Sequence, residues 1–230
     1  MIVVIGSPAF DTSGDAGEPP VSGMAAAVAF AAAAAGAEAQ LVGRVGNDAD
    51  GDAVLLGLAS RGVRHTAMIR DAGRPTRRAS AAVADEGEPL VPVAGLAART
   101  NGGPAMSGED AGAVDASPPT LDAGDLILAL GYLVDPRVLV VAETLGDDAA
   151  AAVADAGAFA DAAIVAIVPA DRAVPAAFET ATVLVAPAHD EGGAFARLVG
   201  RFAAGIDGGA SPGDAFAGAR AADGWEAAQA

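Results

Sequence analysis

Gly213 and Asp214 stand at the start of a helix that the sequence predicts over residues 213–228. The first amides of a helix have no partner within the helix, and they form the positive end of its dipole. A glycine at this point lets an anion approach the backbone closely. Gly213 and Asp214 are therefore the residue types expected where an anion binds to a helix start next to a carboxylate. Asp is also a common helix N-cap residue, and that role explains Asp214 without any chemistry.

The other candidate groups are weaker. His65 and His189 are far apart in the sequence, with no acidic residue at ligand spacing on a predicted helix, so we interpret both as surface or loop residues rather than metal ligands. Residues 43–48 lack the third glycine and the distal acid of a dinucleotide-binding fingerprint. Asp147 and Asp148 are most simply explained as solvated charge.

The composition excludes several classes of function. All 13 basic residues are Arg, so no mechanism that needs a Schiff-base lysine or a P-loop lysine is available. The absence of Cys removes disulfides, thiolate metal sites and cysteine nucleophiles. A net charge of −17 and an aromatic content of 4% argue against nucleic acid as a partner.

The hydropathy pattern predicts a protein without membrane segments. The longest apolar run, residues 24–35, is far shorter than the roughly 20 residues of a membrane-spanning helix. The apolar start of the chain has no basic flank and is too short for a signal peptide. We therefore expect a cytoplasmic protein, and the sequence leaves a homodimer open. The acidic, lysine-free composition also suggests a hypothesis, that high salt stabilises the fold.

The order of predicted elements positions the candidate residues. Strands are predicted at residues 1–5, 40–45, 125–130, 137–142, 163–168 and 182–185, and helices at 22–35, 48–61, 146–160, 191–204 and 213–228. Residues 66–93 contain short runs that favour a small antiparallel flap, and one short helix is predicted near residues 107–114. Strands that alternate with helices indicate a single three-layer α/β/α domain over residues 1–230, with a mostly parallel sheet.

Three segments together resemble the ribokinase-like (PfkB) carbohydrate kinase family. Residues 3–11, VVIGSPAFD, are similar to the family's opening strand, which ends in an Asp. Residues 22–51 are similar to its glycine loop, helix and following strand, turn and helix, and they are the most specific match. Residues 212–218, PGDAFAG, resemble the family's signature segment. Counting looser similarities, the resemblance spans most of the chain.

The resemblance implies transfer of the ATP γ-phosphoryl group, with Mg²⁺, to a hydroxyl of a sugar or nucleoside. It implies Asp214 as the catalytic base, with the amides of Gly213 and Ala215 as the anion cradle. Asp11 and Gly23 are then the substrate-binding positions, and Glu191 the position linked to metal and phosphate. Ligands in such folds bind beyond the carboxyl ends of the strands, so Asp11, Gly23 and Asp214 are expected to converge there.

The chain also departs from the family pattern. Pro212 removes one amide from the expected cradle, and Ala27 and Ala188 stand where the family has Asn. Only residues 201–211 separate the helix after Glu191 from the signature, where the family inserts the strands of its nucleotide side. Two functions therefore stay open: a kinase of diminished activity, and a non-catalytic relative that binds a small ligand or a protein.

Overall fold

The computed structural model describes residues 1–13, 20–79 and 117–223. In chain order, its described strands are β1 (Ile2–Ile5), β2 (Ala9–Asp11), β3 (Val21–Ser22), β4 (Ala39–Gly46), β5 (Met68–Asp71), β6 (Arg78–Ala79), β7 (Val138–Val141), β8 (Ala163–Pro169) and β9 (Thr182–Ala186). Its described helices are α1 (Met24–Ala34), α2 (Ala49–Ser60), α3 (Ala123–Gly131), α4 (Asp147–Ala160), α5 (Ala194–Asp207) and α6 (Pro212–Asp223).

Six strands form one parallel sheet in the order β5-β4-β1-β7-β8-β9. At its centre, Ile2 of β1 pairs with Ala39 of β4 on one side and with Val138 of β7 on the other. All four residues of β1 are fully buried. Strands covered on both faces are typical of parallel sheets, whose crossover helices pack on the two sides. The predicted three-layer α/β/α fold is confirmed.

The two faces of the sheet support two separate cores. Ile2 and Val4 point to the side covered by α1, α2, α5 and α6, whereas Val3 and Ile5 point to the side covered by α3 and α4. This division follows from the alternation of side chains along a strand. The first core is rich in Ala, and α5 packs against α1 through Gly200, so the two helices lie very close together.

A small second sheet, in the order β3-β2-β6, lies beside the start of α1. It is mixed: β2 and β3 are antiparallel, whereas β2 and β6 are parallel. The antiparallel flap expected from residues 66–93 thus differs in detail, because β5 joins the edge of the main sheet. Residues 80–93 of the expected flap, and the helix predicted near 107–114, lie outside the described residues.

One predicted strand, residues 125–130, is instead the helix α3. Asp122 caps this helix by accepting a hydrogen bond from the amide of Asp125 at 2.8 Å. Oδ2 of Asp125 in turn accepts a hydrogen bond from the amide of Asp122 at 3.1 Å, and this reciprocal pair stabilises the helix start. In the described part of the chain, no helix has both the length and the apolar character to cross a membrane.

Candidate ligand-binding site

The carboxyl edge of the main sheet collects the ends of the strands and the starts of two helices. The N-terminal amine of Met1 lies 2.8 Å from Oδ1 of Asp207, so the end of α5 lies at the amino edge of the sheet. The start of α5 therefore lies at the carboxyl edge. α1 also starts there, since a Cβ on Gly23 would lie 4.0 Å from the carbonyl oxygen of Ser7, which follows β1.

Backbone atoms form the floor of this edge. A Cβ added to Gly43 of β4 would lie only 2.5 Å from the carbonyl oxygen of Gly6, which follows β1. A Cβ on Gly6 would lie 2.9 Å from Cβ of Ala25 in the first turn of α1. Glycine at these positions lets the strand ends and the helix start approach each other more closely than any side chain would permit.

Glu143, just beyond β7, is the carboxylate at the centre of this edge. Its Oε2 accepts a hydrogen bond of 2.6 Å from the amide of Ser7, and its Oε1 lies 3.8 Å from Nη2 of Arg77. The Glu143 side chain is only 14% exposed, so the strands and Arg77 fix its position. Nε of Arg77 is buried and has no hydrogen-bond partner among the described residues.

A cavity of about 350 Å³ opens beside Glu143 at the carboxyl ends of β7 and β8. Its lining includes the apolar side chain of Phe178 and the charged side chains of Glu143, Asp147 and Arg172. A volume of this size lies in the range of small-molecule sites, which combine apolar walls with a few polar groups. The cavity is large enough for a ligand the size of a sugar.

The start of α1 supplies the donors of the site. No described side chain caps this helix, and its first turn has no acidic residue. The amides of such a start are available for an oxygen atom of a ligand. Oγ of Ser22, one residue before the N-cap Gly23, is buried without a described hydrogen-bond partner. Buried polar groups in proteins nearly always have partners, so Ser22 and Arg77 are candidate contacts for a ligand.

Two of the predicted substrate positions lie at opposite ends of the pair β2–β3 in the small sheet. Asp11 ends β2 opposite Pro20, whereas Gly23 follows β3 beside Pro8 and Ala9, so about three residues of strand separate the two positions. Oδ1 of Asp11 accepts hydrogen bonds from the hydroxyl of Ser13 at 2.6 Å and from its amide at 2.8 Å. These two bonds hold the pKa of Asp11 below its usual value. The carboxylate is therefore ionised over the whole physiological range.

Asp214 does not converge with Asp11 and Gly23. The start of α6 packs on the end of α5, where a Cβ on Gly205 would lie 2.8 Å from Cβ of Ala215. α5 has 14 residues, so its two ends are about 21 Å apart. Because the start of α5 lies at the carboxyl edge, Asp214 lies near the amino edge. The convergence expected from the sequence is absent, and the role of Asp214 as a base stays a prediction.

The groups around Asp214 form a helix cap. The hydroxyl of Ser211 donates to Oδ2 of Asp214 at 2.7 Å, and the amide of Asp214 donates to that hydroxyl oxygen at 3.2 Å. The amide of Ala215 donates to the carbonyl of Ser211 at 2.8 Å. Pro212 occupies the first helical position, where its missing amide costs nothing. The amide of Ala215, expected in the anion cradle, and the amide of Asp214 are thus used within the helix start.

The start of α5 is also occupied by a side chain of the chain itself. Oδ1 of Asp190 accepts from the amide of Phe195 at 2.7 Å, and Oδ2 accepts from the amide of Ala196 at 3.0 Å. Glu191 follows in a 3-10 turn, and its side chain is outside the described part of the structure. At the starts of α5 and α6, two amides each are therefore already bonded within the chain, which leaves fewer donors for the phosphates of ATP.

Sequence reasoning did not single out Glu143, Arg77 or Asp190. Each follows or precedes a predicted element by a few residues, but nothing in its local pattern distinguishes it from solvated charge. The position of Glu143 two residues past the buried strand β7 was the available signal, because such residues meet at the carboxyl edge of a parallel sheet. The role of Asp190 depends on the turn through Gly192 and Gly193, both with positive φ, which the sequence alone does not reveal.

Comparison with known families gives one match. Residues 20–110, less than half of the chain, match the family described as pfkB family carbohydrate kinase. This range includes β3, α1, β4 and α2, the segment with the most specific predicted resemblance. No curated protein matches the sequence.

Several solved structures that share this fold are described as ribokinases or as a phosphofructokinase. Ribokinase from Arabidopsis thaliana, complexed with ribose and ATP, has a TM-score of 0.58 and 17% identity, over 96% of this chain and 90% of that chain. A protein from E. coli assigned as ribokinase II, in complex with ATP and Mg²⁺, has a TM-score of 0.59 and 14% identity, over 96% and 91%. A protein from Staphylococcus aureus assigned as a phosphofructokinase has a TM-score of 0.55 and 13% identity, over 95% and 89%.

The structures establish the fold, and the family match agrees with it. The predicted resemblance to the ribokinase-like (PfkB) carbohydrate kinases is confirmed. At identities of 13–17%, the likeness to the solved structures does not carry over their ligands or activities.

Proposed function

We propose that this carbohydrate-kinase-like chain binds a sugar or nucleoside through its hydroxyl groups at the carboxyl edge of the sheet. In this proposal, ATP-dependent transfer of a phosphoryl group to that ligand is much slower than in a complete kinase. The observation that carries the binding proposal is that two buried polar atoms at this edge, Ser22 Oγ and Arg77 Nε, have no hydrogen-bond partner in the part of the chain that is described, and that Arg77 lies beside Glu143.

The chemistry of these groups suits a ligand rich in hydroxyl groups. Each hydroxyl donates one hydrogen bond and accepts others, so it needs an acceptor and a donor close together. The carboxylate of Glu143 is an acceptor, whereas Arg77 and the open amides at the start of α1 are donors. Asp11, whose carboxylate is ionised, is an acceptor on the same small sheet, about three residues of strand away from this helix start.

The direct test of binding is calorimetric titration with a panel of sugars and nucleosides. We expect Glu143→Gln to weaken binding of the best ligand by about 10-fold or more, equal to roughly 1.4 kcal/mol, because the amide replaces an acceptor. Glu179→Gln, a change of the same chemistry at an exposed position outside the site, is the matched control. Equal losses in the two variants, or no binding by the wild type, would contradict the proposal.

The starts of α5 and α6 support a reduced rate of phosphoryl transfer. Phosphoryl transfer depends on donors that are already aimed at the developing charge, and removal of one such donor costs about 100-fold or more. Asp190 accepts from two amides at the start of α5, and Ser211 accepts from two at the start of α6. When bound, ATP with Mg²⁺ would supply the phosphoryl group and its charge neutralisation. The residue that the resemblance assigns to this metal is Glu191.

A second candidate is ligand binding without transfer, and the bond between Asp190 and α5 favours it. ADP release, measured with the ligand found by titration, separates the two functions. Comparison of wild type with Asp214→Ala tests the base that the resemblance implies. A lower rate of ADP release in the variant would support Asp214 as that base. Equal rates in wild type and variant would remove Asp214 from the chemistry. No ADP release above the level without ligand would leave binding alone.

A further inference from the structure

The cavity of about 350 Å³ at the carboxyl ends of β7 and β8 has mainly apolar walls. Leu145, Val168 and Phe178 form part of its lining, and all three belong to the second core, on the α3 and α4 side of the sheet. Each of them is at most 8% exposed. Pro169 and Val174 extend the apolar lining. The cavity is therefore the place where this core reaches the carboxyl edge of the sheet.

The polar lining residues lie at the solvent end of the cavity. Thr144, Asp147 and Arg172 are exposed, and Glu143 is partly buried. Glu143 is also the carboxylate that lies beside Arg77 in the proposed binding site. One carboxylate thus borders both the cavity and the polar groups that are proposed to bind hydroxyls. A single ligand in contact with Glu143 can extend into the cavity.

The walls of the cavity do not suit a free sugar. A hydroxyl group that leaves water needs a hydrogen-bond partner, and the side chains of Leu145, Val168 and Phe178 provide none. A flat apolar group loses no hydrogen bonds against these walls, and its burial removes apolar surface from water. Binding sites commonly combine such an apolar pocket with a few polar groups that orient the ligand.

We infer that the ligand of this site is a glycoside rather than a free sugar. Its hydroxyl groups bind at Glu143, and a flat apolar group on its anomeric carbon occupies the cavity. This inference rests on the proposed function, because it concerns the same site. Nucleosides and aryl glycosides share the required chemistry. They differ at the ring edge, since a nucleobase has donors and acceptors there that can bond to Asp147 and Arg172.

Calorimetric titration of the full chain tests the inference by comparing each free sugar with its phenyl glycoside and, for ribose, with nucleosides. We expect the glycoside to bind at least about 10-fold more tightly than its parent sugar. Its heat capacity change on binding should be more negative, because more apolar surface is buried. Tighter binding of a nucleoside than of phenyl riboside would identify a nucleobase as the apolar group, and the reverse order would identify an aryl group. Either order supports the inference.

Two outcomes of this titration separate the inference from the proposed function. Equal affinities for free sugars and their glycosides would overturn the inference and leave the proposed function in place. The absence of binding by every sugar and every glycoside would contradict the proposed function, and the inference would fail with it.

Val174→Trp tests whether the cavity holds the apolar group. Val174 lines the cavity and is 43% exposed, so a larger side chain there can fill the cavity without displacing the core. We expect the ratio of glycoside affinity to free-sugar affinity to fall from at least about 10 to about 1. Both affinities are measured on the same variant, so a smaller folded fraction does not change their ratio.

Ala210→Trp is the matched control. Ala210 is exposed, and its amide donates to the carbonyl of Gly205 near the end of α5, at the amino edge of the sheet. This variant should keep the affinity ratio of the wild type. A ratio that is unchanged in Val174→Trp, or one that Ala210→Trp lowers to the same extent, would overturn the inference.

Discussion

At the scale of single residues, Asp48 and Thr76 form the most connected polar group in the described structure. Asp48 caps α2 by accepting from the amide of Gly51 at 2.8 Å, as the sequence predicts for this turn. Its carboxylate also accepts from the hydroxyl of Thr76 at 2.6 Å and from the amide of Thr76 at 2.8 Å. The same Thr76 hydroxyl accepts from the amide of Gly46 at 2.9 Å. One buried hydroxyl therefore joins the end of β4, the start of α2 and the segment before β6.

Thr76→Val should remove the two hydrogen bonds of the Thr76 hydroxyl, one to Asp48 and one from the amide of Gly46. Burial alone raises the pKa of Asp48, but the hydrogen bonds from Thr76 and Gly51 outweigh it and lower this pKa below 3.8. We expect the variant to lose about 2 kcal/mol of unfolding free energy at neutral pH, since a bond to a charged group is lost and the Gly46 amide is left unpaired. The pKa of Asp48 should rise, which an NMR titration would detect.

The stabilisation that Asp48 provides should depend on pH in a definite direction. A carboxylate whose pKa is lowered by folding stabilises the fold above its unfolded pKa, and this stabilisation disappears as the pH falls through the folded pKa. In urea unfolding, the free energy of unfolding should therefore be higher for the wild type than for Thr76→Val at neutral pH. This difference should decrease below pH 3.8, the usual pKa of Asp. Thr180→Val, at an exposed position, should have the same free energy of unfolding as the wild type. A difference between wild type and Thr76→Val that stays constant with pH would contradict the role given to Asp48.

Residue patterns predicted the cap at Asp48 but not the place of Asp214. Both are acidic residues at helix starts, and local sequence is sufficient to predict a cap, because the partners are only three residues away. Whether a helix start faces a ligand depends on which edge of the sheet it reaches. The direction and length of α5 decide that, together with its tight contact with the start of α6, and no local pattern encodes it.

At the scale of elements, the contact between α1 and α5 depends on the absence of a side chain. A Cβ on Gly200 would lie 2.5 Å from Cβ of Ala31, 2.7 Å from the carbonyl oxygen of Val28 and 2.8 Å from the amide nitrogen of Ala32. Two of these atoms belong to the backbone of α1 and have no room to move. The pair of helices that start at the candidate site is therefore held at a fixed separation.

Gly200→Ala should separate these helices. Although Ala is the better helix former by about 1 kcal/mol, we expect a net destabilisation of about 1–3 kcal/mol from the clash. Gly218→Ala is the matched control, because Gly218 is also inside a helix but a Cβ there would meet nothing within 4 Å. That variant should be as stable as the wild type or slightly more stable. Thermal or urea unfolding of both variants measures the difference.

Most elements followed from the sequence, and α3 shows why one did not. The β-branched runs of β1, β7 and β8 and the Ala-rich α1 have patterns typical of a strand or a helix. Residues 125–130 form a short apolar run, a length at which periodicity does not distinguish the two structures. The reciprocal cap between Asp122 and Asp125 decides for a helix, and its Asp-x-x-Asp spacing was the signal that could have corrected the prediction.

At the scale of the whole molecule, charge is the dominant feature of the chain. The 30 acidic residues outnumber the 13 basic residues, so the folded state carries strong self-repulsion. Several exposed Arg residues are paired with carboxylates, as in Arg70 with Asp52 and Arg78 with Asp50. Exposed pairs of this kind contribute about 1 kcal/mol or less each, which does not offset the excess of negative charge.

We predict that unfolding free energy rises between low and molar KCl. Screening shortens the range of repulsion from about 10 Å at 0.1 M to about 3 Å at 1 M, and this relieves the compact state more than the expanded one. Urea unfolding across a KCl series measures the effect. The prediction fails if stability is constant or falls with salt. Repeating the series at two protein concentrations separates this effect from stabilisation by self-association.

The backbone floor at Gly6 and Gly43 has a consequence for how this protein should be studied and compared. Alanine scanning identifies a binding residue by deleting its side chain, but at these two positions it would add a methyl group between β1, β4 and α1. A conventional scan would therefore register a folding defect and miss a ligand contact made by main-chain atoms. Since such contacts place few demands on neighbouring side chains, they also permit wide divergence of sequence while the shape of the floor persists.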